Sequence, residues 1–256
     1  MKRIVIKVGS AVLTEKNRIA KKRMLNLVTL IANLRDKYKV ILVTSGAVAA
    51  GYSALKLDKR KLIGKRALAA AGQPILMTSY KKKFDIYEID TAQILLTEDD
   101  FDSRKRTKMF QEIIDAHLDN DILPIVNEND ISSTPEQLFG DNDQLSANIA
   151  IATGANLLII LSDIDGYFDK NPHEHADAKI QKFIHSIPPE ALLDQSSPND
   201  TFATGGIVTK LKAAEFLLNK GKSMFLCNGF DLCSAESFLL HDDHQLGTLF
   251  SPKPKK

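Results

Sequence analysis

The sequence contains few of the features that mark secreted and membrane proteins. It has only two cysteines, Cys227 and Cys233, in 256 residues, and it has no tryptophan. Two cysteines are too few to hold a secreted fold together, so we expect a reduced protein in the cytoplasm. The longest apolar runs, such as Leu157–Leu161, are far shorter than a membrane span. Near the N-terminus, Lys7 and Gly9 interrupt the apolar core that a signal peptide needs.

An excess of charge of one sign is also missing. The chain has 34 Lys and Arg residues against 32 Asp and Glu residues, which leaves a formal net charge of +2. Proteins that bind nucleic acids or anionic membranes usually carry a strong basic field. No basic stretch is interleaved with aromatic residues as in RNA-binding proteins. We therefore expect neither nucleic acid nor a membrane as a partner.

Familiar nucleotide and metal motifs are absent or incomplete. The dinucleotide-binding pattern GxGxxG does not occur, and Gly221–Ser223 resembles only the end of a P-loop and leads into a strand. His173 and His175, like His241 and His244, lack a complete set of zinc ligands at the usual spacing. We therefore assign no residue as a metal ligand.

Short apolar runs alternate with stretches of helical periodicity along the chain. Near-continuous apolar runs are typical of strands buried on both faces of a parallel sheet. The runs are Ile4–Val8, Val40–Thr44, Gln93–Leu96, Ile122–Val126, Leu157–Leu161 and Ser223–Cys227. Helical spacing occurs at residues 24–38, 110–118 and 207–218. This order predicts a three-layer α/β/α sandwich with a mainly parallel central sheet, in a single domain over residues 1–256.

Glycine and short polar residues follow several of these strands directly. The segments are Lys7–Ser10, Thr44–Gly51, Asn127–Asp130 with Phe139–Asp143, and Ser162–Gly166 with Thr204–Lys210. In open α/β sheets, ligands bind at the edge where the parallel strands end. We therefore expect the functional site at this edge.

Two lysines in these segments are candidates for phosphate chemistry. Lys7 lies in an apolar strand, where a lysine must be paired or solvated, and the N–H groups of the following glycine and serine can approach a phosphate. Lys210 falls in the first turns of a helix that follows Thr204–Gly206, and a helix N-terminus favours anions. Together the two lysines can flank a transferring phosphoryl group. Taken alone, Lys7 is equally compatible with an edge strand and no ligand.

The acidic and amide residues form a second candidate set. Asn127–Asp130 and Asp141–Asp143 concentrate carboxylates and amides at a strand end and in the loop that follows. Carboxylates can hold the ammonium of an amino acid, and amides can orient its carboxylates. Solvated turns explain either cluster alone, whereas both together favour binding.

With these residues the sequence resembles the amino-acid kinase family, and most closely the members that phosphorylate L-glutamate. The matching segments are Val5–Ser10, Ser45–Gly51, Ala69–Gln73, Pro124–Asp130, Phe139–Asp143, Thr204–Lys210 and Gly247–Phe250. They occur in order and span almost the whole chain. Many members continue into a C-terminal PUA domain, and we expect none here.

The resemblance implies the amino-acid kinase fold and a role for each matching residue. The acceptor part is expected at about residues 1–155 and the ATP part at about residues 156–250. The implied catalytic residues are Lys7, Lys210 and Asp143. The implied L-glutamate contacts are Ser45, Gly46, Asn127, Asp130, Asp141 and Asn142. The implied ATP contacts are Lys7, Gly9, Ser10, Ser162, Asp163, Thr204, Gly205, Gly206, Ile207, Val208, Thr209 and Lys210.

The resemblance also implies the reaction and its setting. ATP with Mg²⁺ would phosphorylate the γ-carboxylate of L-glutamate to L-glutamyl 5-phosphate, the first step of proline biosynthesis. A carboxylate acceptor with an ordinary pKa of about 4.3 is already ionised at neutral pH, so no general base is needed. The implied partners are proline, as an inhibitor at the glutamate site, and glutamyl-phosphate reductase. A long, exposed helix at residues 62–87 suggests a homo-oligomer.

Other functions within and outside the family stay open at this point. Acetylglutamate, aspartate and uridylate kinases share the fold, but the run of glycines expected after the first strand of an acetylglutamate kinase is replaced here by Gly9 and Ser10. A non-catalytic amino-acid sensor of the same fold would be expected to have lost Lys7 or Lys210, and both are present.

Overall fold

The computed structural model describes residues 1–97, 99–132, 142–172, 174–192 and 206–253. The strands are β1 Lys2–Val8, β2 Thr14–Glu15, β3 Arg18–Ile19, β4 Tyr38–Val43, β5 Thr91–Leu96, β6 Leu123–Glu128, β7 Leu157–Ser162, β8 Phe183–Ile184, β9 Ser223–Asn228 and β10 Thr248–Phe250. The helices are α1 Ser10–Leu13, α2 Lys21–Leu34, α3 Ala47–Tyr52, α4 Leu62–Phe84, α5 Asp99–Asp102, α6 Arg104–Asp119, α7 Asp143–Ala152, α8 Ile207–Asn219 and α9 Cys233–Leu240. Two short 3₁₀ helices lie at Asp85–Tyr87, directly after α4, and at Pro189–Leu192, after β8.

An eight-stranded sheet organises these elements in the order β5-β6-β4-β1-β7-β9-β10-β8. The six predicted strands are all present and pair in parallel, which confirms the mainly parallel sheet. Two strands of this sheet were not predicted: β10 pairs antiparallel with β9, and β8 pairs with β10. Both are very short, so neither leaves a recognisable apolar run in the sequence.

The sheet separates two apolar layers, because successive residues of a strand face opposite sides. On β1, Ile4, Ile6 and Val8 pack with α2, α4 and α9, whereas Val5 packs with α6, α7 and α8. Lys7 has the parity of Val5 and therefore faces the layer of α7 and α8. The predicted three-layer arrangement is confirmed.

The predicted helices are present, with three corrections. The first ends at Leu34, since Tyr38 already belongs to β4. The long helix α4 is not wholly exposed, because Tyr80 and Phe84 on it are fully buried in the core. On α6, Ile113 falls within the helical spacing at residues 110–118 but is 47% exposed, so it does not belong to the buried face. Among the described residues, none of the helices is both long and apolar enough to span a membrane.

Candidate active site

Lys7 lies on β1, a central strand of the sheet between β4 and β7. Its backbone lies opposite Val43 of β4 on one side and Ile160 of β7 on the other. Lys7 is therefore not on an edge strand. The alternative that explained Lys7 as an edge-strand lysine with no ligand is wrong about its position. Its side chain is 1% exposed, and a buried ammonium requires an opposite charge nearby.

Asp143 supplies that charge and connects Lys7 to Lys210. The Nζ atom of Lys7 lies 2.7 Å from Oδ1 of Asp143, and the Nζ atom of Lys210 lies 3.3 Å from Oδ2. The hydroxyl of Thr209 donates to the same Oδ2 at 2.9 Å. Asp143 is fully buried and Lys210 is 3% exposed. One carboxylate thus orients two ammonium groups, and we call Lys7, Asp143 and Lys210 the charged trio.

Local structure explains why these residues meet. Asp143 is the first residue of α7, where the positive end of the helix dipole favours a carboxylate. Lys210 lies in the first turn of α8, which begins directly after Gly206 as predicted. Ile207 and Val208 form the start of the same turn and are partly buried. Thr204 and Gly205 lie outside the described residues.

The N–H groups of Gly9 and Ser10, after β1, were expected to approach a phosphate, and for Gly9 this expectation is wrong. The backbone N–H of Gly9 donates to the carbonyl oxygen of Leu161 at 3.1 Å, so it continues the sheet and is not directed at a phosphate. Gly9 nevertheless borders the ammonium, because a Cβ atom built there would lie 3.9 Å from Nζ of Lys7. Ser10 is exposed and begins the short helix α1.

A second, uncharged network lies beside the trio. The Nδ2 group of Asn142 donates to the carbonyl oxygen of Thr44 at 2.6 Å and to Oδ1 of Asn127 at 2.8 Å, and it lies 3.3 Å from Oγ of Ser45. The Nδ2 group of Asn127 donates in turn to Oε1 of Gln73 at 2.9 Å. We call Gln73, Asn127 and Asn142 the amide network. It joins α4 to the ends of β4 and β6 and to the start of α7.

Two close contacts between helices hold Gln73 in this network. A Cβ atom at Gly72 would lie 1.8 Å from the carbonyl oxygen of Ala47, and one at Gly51 would lie 1.9 Å from that of Leu68. Only glycine permits backbones to approach so closely. The two glycines therefore allow α3 and α4 to pack together, which places the next residue, Gln73, against Asn127.

The other described residues that were predicted to contact the acceptor lie just after β4 and β6. Gly46 has a φ of 98° and caps α3, which begins at the next residue, Ala47. Ser45 itself is buried. Asp130 follows β6, and burial raises the pKa of its carboxyl, partly offset by the positive charge of Lys65. Asp141 lies outside the described residues.

The ends of β7 and β9 form the other part of the edge. Ser162 is buried, and its hydroxyl donates to Oδ1 of the exposed Asp163 at 2.9 Å. The Nδ2 group of Asn228 donates to Oδ1 of Asp165 at 2.6 Å. Its Oδ1 accepts from the backbone N–H of Phe230 at 2.7 Å. Asn228 thus ties the loops after β7 and β9 together.

Comparison with known proteins places the chain in a family. The Amino acid kinase family matches residues 2–228. The chain belongs to the amino acid kinase family. A glutamate 5-kinase of Wolinella succinogenes is 54% identical over 255 residues and covers 98% of this chain and 98% of its own length. A glutamate 5-kinase of Helicobacter hepaticus is 51% identical over 250 residues, which is 98% of this chain and 95% of that protein.

The fold of this chain is similar to those of solved structures over nearly its whole length. A product complex of isopentenyl phosphate kinase from T. acidophilum superimposes with a TM-score of 0.66 at 14% identity, covering 97% of this chain and 99% of that one. At this identity the similarity concerns the fold alone, and it agrees with the α/β/α sandwich described above.

Sequence reasoning assigned no role to three residues at this edge of the sheet: Thr44, Asn228 and Gln73. Asn228 ends β9 and Thr44 directly follows β4, each next to a predicted site residue, and their position at the end of an apolar run was a usable signal. Gln73 was noted only as part of a matching segment. An amide among Ala and Gly residues of a helix indicates that its side chain makes a hydrogen bond. Its partner, Asn127, lies 54 residues away in the chain, so the sequence does not identify it.

Proposed function

We propose that this protein transfers the γ-phosphoryl group of ATP to the γ-carboxylate of L-glutamate, giving L-glutamyl 5-phosphate and ADP. The observation that carries the proposal is the meeting of two networks at the start of α7. Asn142 belongs to the amide network, and the next residue, Asp143, holds Lys7 and Lys210. The relatives named glutamate 5-kinase, at 49–54% identity over nearly the whole chain, support this substrate.

The charged trio is suited to phosphoryl transfer. An oxygen of the acceptor carboxylate forms a bond to the γ-phosphorus while the bond from phosphorus to the ADP oxygen breaks. Negative charge spreads over the transferring group, and prepositioned cations stabilise it. In our proposal Lys7 and Lys210 supply these cations and Asp143 sets their direction. No proton has to be removed, because the acceptor carboxylate is ionised at neutral pH.

The polar residues after β4 and β6 are suited to a free amino acid. We assign the acceptor to Ser45, Gly46, Asn127, Asp130 and Asn142, together with Asp141. The carboxylate of Asp130 attracts an ammonium, and an ammonium beside it would offset the cost of burying that carboxylate. This attraction favours an acceptor with a free amine over an N-acylated one.

We assign the nucleotide to the ends of β1 and β7 and to the start of α8. The assigned residues are Lys7, Gly9, Ser10, Ser162, Asp163, Thr204, Gly205, Gly206, Ile207, Val208, Thr209 and Lys210. The first-turn N–H groups of α8, a helix of 13 residues, provide donors for phosphate oxygens. This assignment divides the single domain into an acceptor part at about residues 1–155 and an ATP part at about residues 156–250.

The described residues fit a Mg²⁺ ion that arrives with ATP. No group of three or more His, Cys, Asp or Glu side chains in the described part of the chain is arranged to hold a metal. Mg²⁺ is commonly held by substrate phosphates, water and one or two carboxylates, without a dedicated cage. Asp163, exposed at the end of β7, is the carboxylate we assign to its surroundings. The bound ion neutralises phosphate charge.

We further propose the setting that the family suggests. The protein would act in the cytoplasm in the first step of proline biosynthesis, as a homo-oligomer inhibited by proline at the glutamate site. Its acyl phosphate product would pass to glutamyl-phosphate reductase. Titrating proline into the activity assay tests inhibition, and light scattering coupled to size-exclusion chromatography tests the oligomeric state.

A hydroxylamine-trapping assay tests the main proposal directly, because hydroxylamine converts an acyl phosphate into a hydroxamate. The acceptors to compare are L-glutamate, L-aspartate, N-acetyl-L-glutamate and UMP, with ADP release measured in parallel. We expect hydroxamate and ADP to form with L-glutamate. Turnover confined to another acceptor would overturn the proposal.

A further inference from the structure

We propose that Gln73 is a positioning residue: by accepting from Asn127 it keeps the Asn127 oxygen directed at Asn142, reinforces the Asn142 orientation that the Thr44 carbonyl sets, and thereby favours acceptors with a free ammonium. The proposal rests on the proposed function, because it concerns the same acceptor pocket. Gln73 itself need not touch the acceptor. Its effect is exerted through two hydrogen bonds, from Asn127 to Gln73 and from Asn142 to Asn127.

The direction of the network is set by one backbone carbonyl. The oxygen of Thr44 can only accept a hydrogen bond, so the group that faces it at 2.6 Å must be the NH₂ of Asn142. That NH₂ also faces Asn127 at 2.8 Å, which must therefore present its oxygen. The NH₂ of Asn127 is then directed at Gln73, which presents its own oxygen at 2.9 Å. Each amide orientation follows from the one before it.

The two ends of the network differ in what they offer. At one end, Nε2 of Gln73 is buried and has no hydrogen-bond partner in the described part of the chain. Burying an amide in this way is unfavourable, and an apolar side chain of the same size would avoid the cost. The bond that Gln73 accepts from Asn127 is the contact that a glutamine provides here and an apolar residue does not.

At the other end, the oxygen of Asn142 is left for a ligand. Because the NH₂ of Asn142 is directed at Thr44 and Asn127, Oδ1 lies on the opposite branch of the amide, and the described residues donate no hydrogen bond to it. A carbonyl oxygen accepts from an ammonium and repels a second acceptor. If Asn127 rotated, Asn142 would lose one of the two short hydrogen bonds that hold its NH₂ group, and only the bond to Thr44 would then keep its oxygen in this direction.

Replacing Gln73 by residues of similar size separates positioning from packing. Gln73→Met keeps the length and approximate shape but offers Asn127 only a weakly accepting thioether sulfur, whereas Gln73→Glu keeps an accepting oxygen in either protonation state. The readouts are KM for L-glutamate, KM for ATP, and the preference for L-glutamate over glutarate, which lacks the ammonium. Gln111→Met, at an exposed position of α6, is the matched control.

We expect Gln73→Met to raise KM for L-glutamate roughly tenfold, to lower the preference over glutarate by about the same factor, and to leave KM for ATP unchanged. We expect Gln73→Glu to stay within about threefold of the parent, since one accepted hydrogen bond is retained. An unchanged preference in Gln73→Met, equal losses with both acceptors, or equal damage in Gln73→Glu would overturn the proposal.

The proposal can be tested even if Gln73→Met does not fold. If circular dichroism shows that Gln73→Met does not fold, Gln73→Asn takes its place, because it keeps an amide but withdraws the oxygen from Asn127. The expected loss of preference is the same, and an unchanged preference would overturn the inference. A parent protein without L-glutamate turnover would overturn the proposed function and this inference together, whereas an active parent with unaltered variants would overturn this inference alone.

Discussion

The charged trio and the amide network lie side by side but are built from different chemistry. Asp143 joins two ammonium groups, whereas Asn142, the preceding residue, takes part only in neutral hydrogen bonds. In the proposed function, the charged trio acts on the transferring phosphoryl group, and the amide network lies on the side assigned to the amino acid. In the proposed function, one helix start therefore serves both substrates, because its adjacent residues Asn142 and Asp143 have separate roles.

The same difference predicts unequal consequences of mutation. Breaking a buried ion pair typically costs about 3–5 kcal/mol of stability, whereas a neutral hydrogen bond contributes about 1 kcal/mol. Variants in the trio should therefore have the larger effects, and variants in the amide network should act on acceptor binding.

The largest expected effect is on stability. Asp143→Asn removes the buried carboxylate that Lys7 and Lys210 share, and we expect it to lower the free energy of unfolding by about 3–5 kcal/mol. Urea denaturation followed by circular dichroism measures this change. Asp163→Asn, at an exposed carboxylate on the same edge, is the control. A loss below about 1 kcal/mol would show that the trio does not behave as a buried ion network.

The next largest effect is on turnover. Lys7→Ala and Lys210→Ala each remove one cation from the transferring group, and we expect kcat to fall roughly 10²- to 10³-fold. Lys212→Ala, at an exposed position two residues along α8, is the matched control and should keep the parent kcat. Near-parental kcat in either trio variant would remove that lysine from the mechanism.

The acceptor side should respond to pH through Asp130. Burial raises the pKa of its carboxyl, so acidification protonates it at a higher pH than an ordinary aspartate. Only the carboxylate attracts an ammonium, and we therefore expect KM for L-glutamate to rise as the pH falls through this raised pKa. Asp130→Asn should raise KM about tenfold at neutral pH and remove the pH dependence. A pH dependence of the same size in Asp130→Asn would contradict the assignment.

The same shift has a consequence for stability. A folded-state pKa above the unfolded value means that the folded state binds more protons between the two values, so stability falls as the pH rises through that range. We therefore expect Asp130→Asn to melt at a higher temperature than the parent at neutral pH. Differential scanning calorimetry checks the sign, and a lower melting temperature would show that the carboxylate is well compensated in the folded protein.

The smallest expected effect tests how firmly the trio is held. Thr209→Val removes one hydroxyl that donates to Asp143, and we expect a loss of about 1 kcal/mol in stability and a decrease of a fewfold in kcat. Denaturation and steady-state kinetics measure both quantities. A loss as large as that of Asp143→Asn would mean that Thr209, and not the lysines, positions the carboxylate.

The sequence predicted the parts of this site that depend on neighbouring residues. The six strands that form apolar runs were correct, and Lys7 and Lys210 were singled out because a lysine in an apolar strand and one at a helix start are unusual. The short strands β8 and β10 were missed, since their pairing is determined by distant residues. The hydrogen bond from the N–H of Gly9 to Leu161 and the contact between Asn127 and Gln73 were missed for the same reason, because both join residues far apart in the chain.

The division of work between the two networks is tested most directly by varying both substrates in parallel for Asn142→Ala and Lys210→Ala. We expect Asn142→Ala to raise KM for L-glutamate about tenfold while KM for ATP stays at the parent value. We expect Lys210→Ala to lower kcat roughly 10²- to 10³-fold with little change in KM for L-glutamate. If both variants lower kcat alone, or if both raise KM for L-glutamate equally, the two networks do not serve separate substrates.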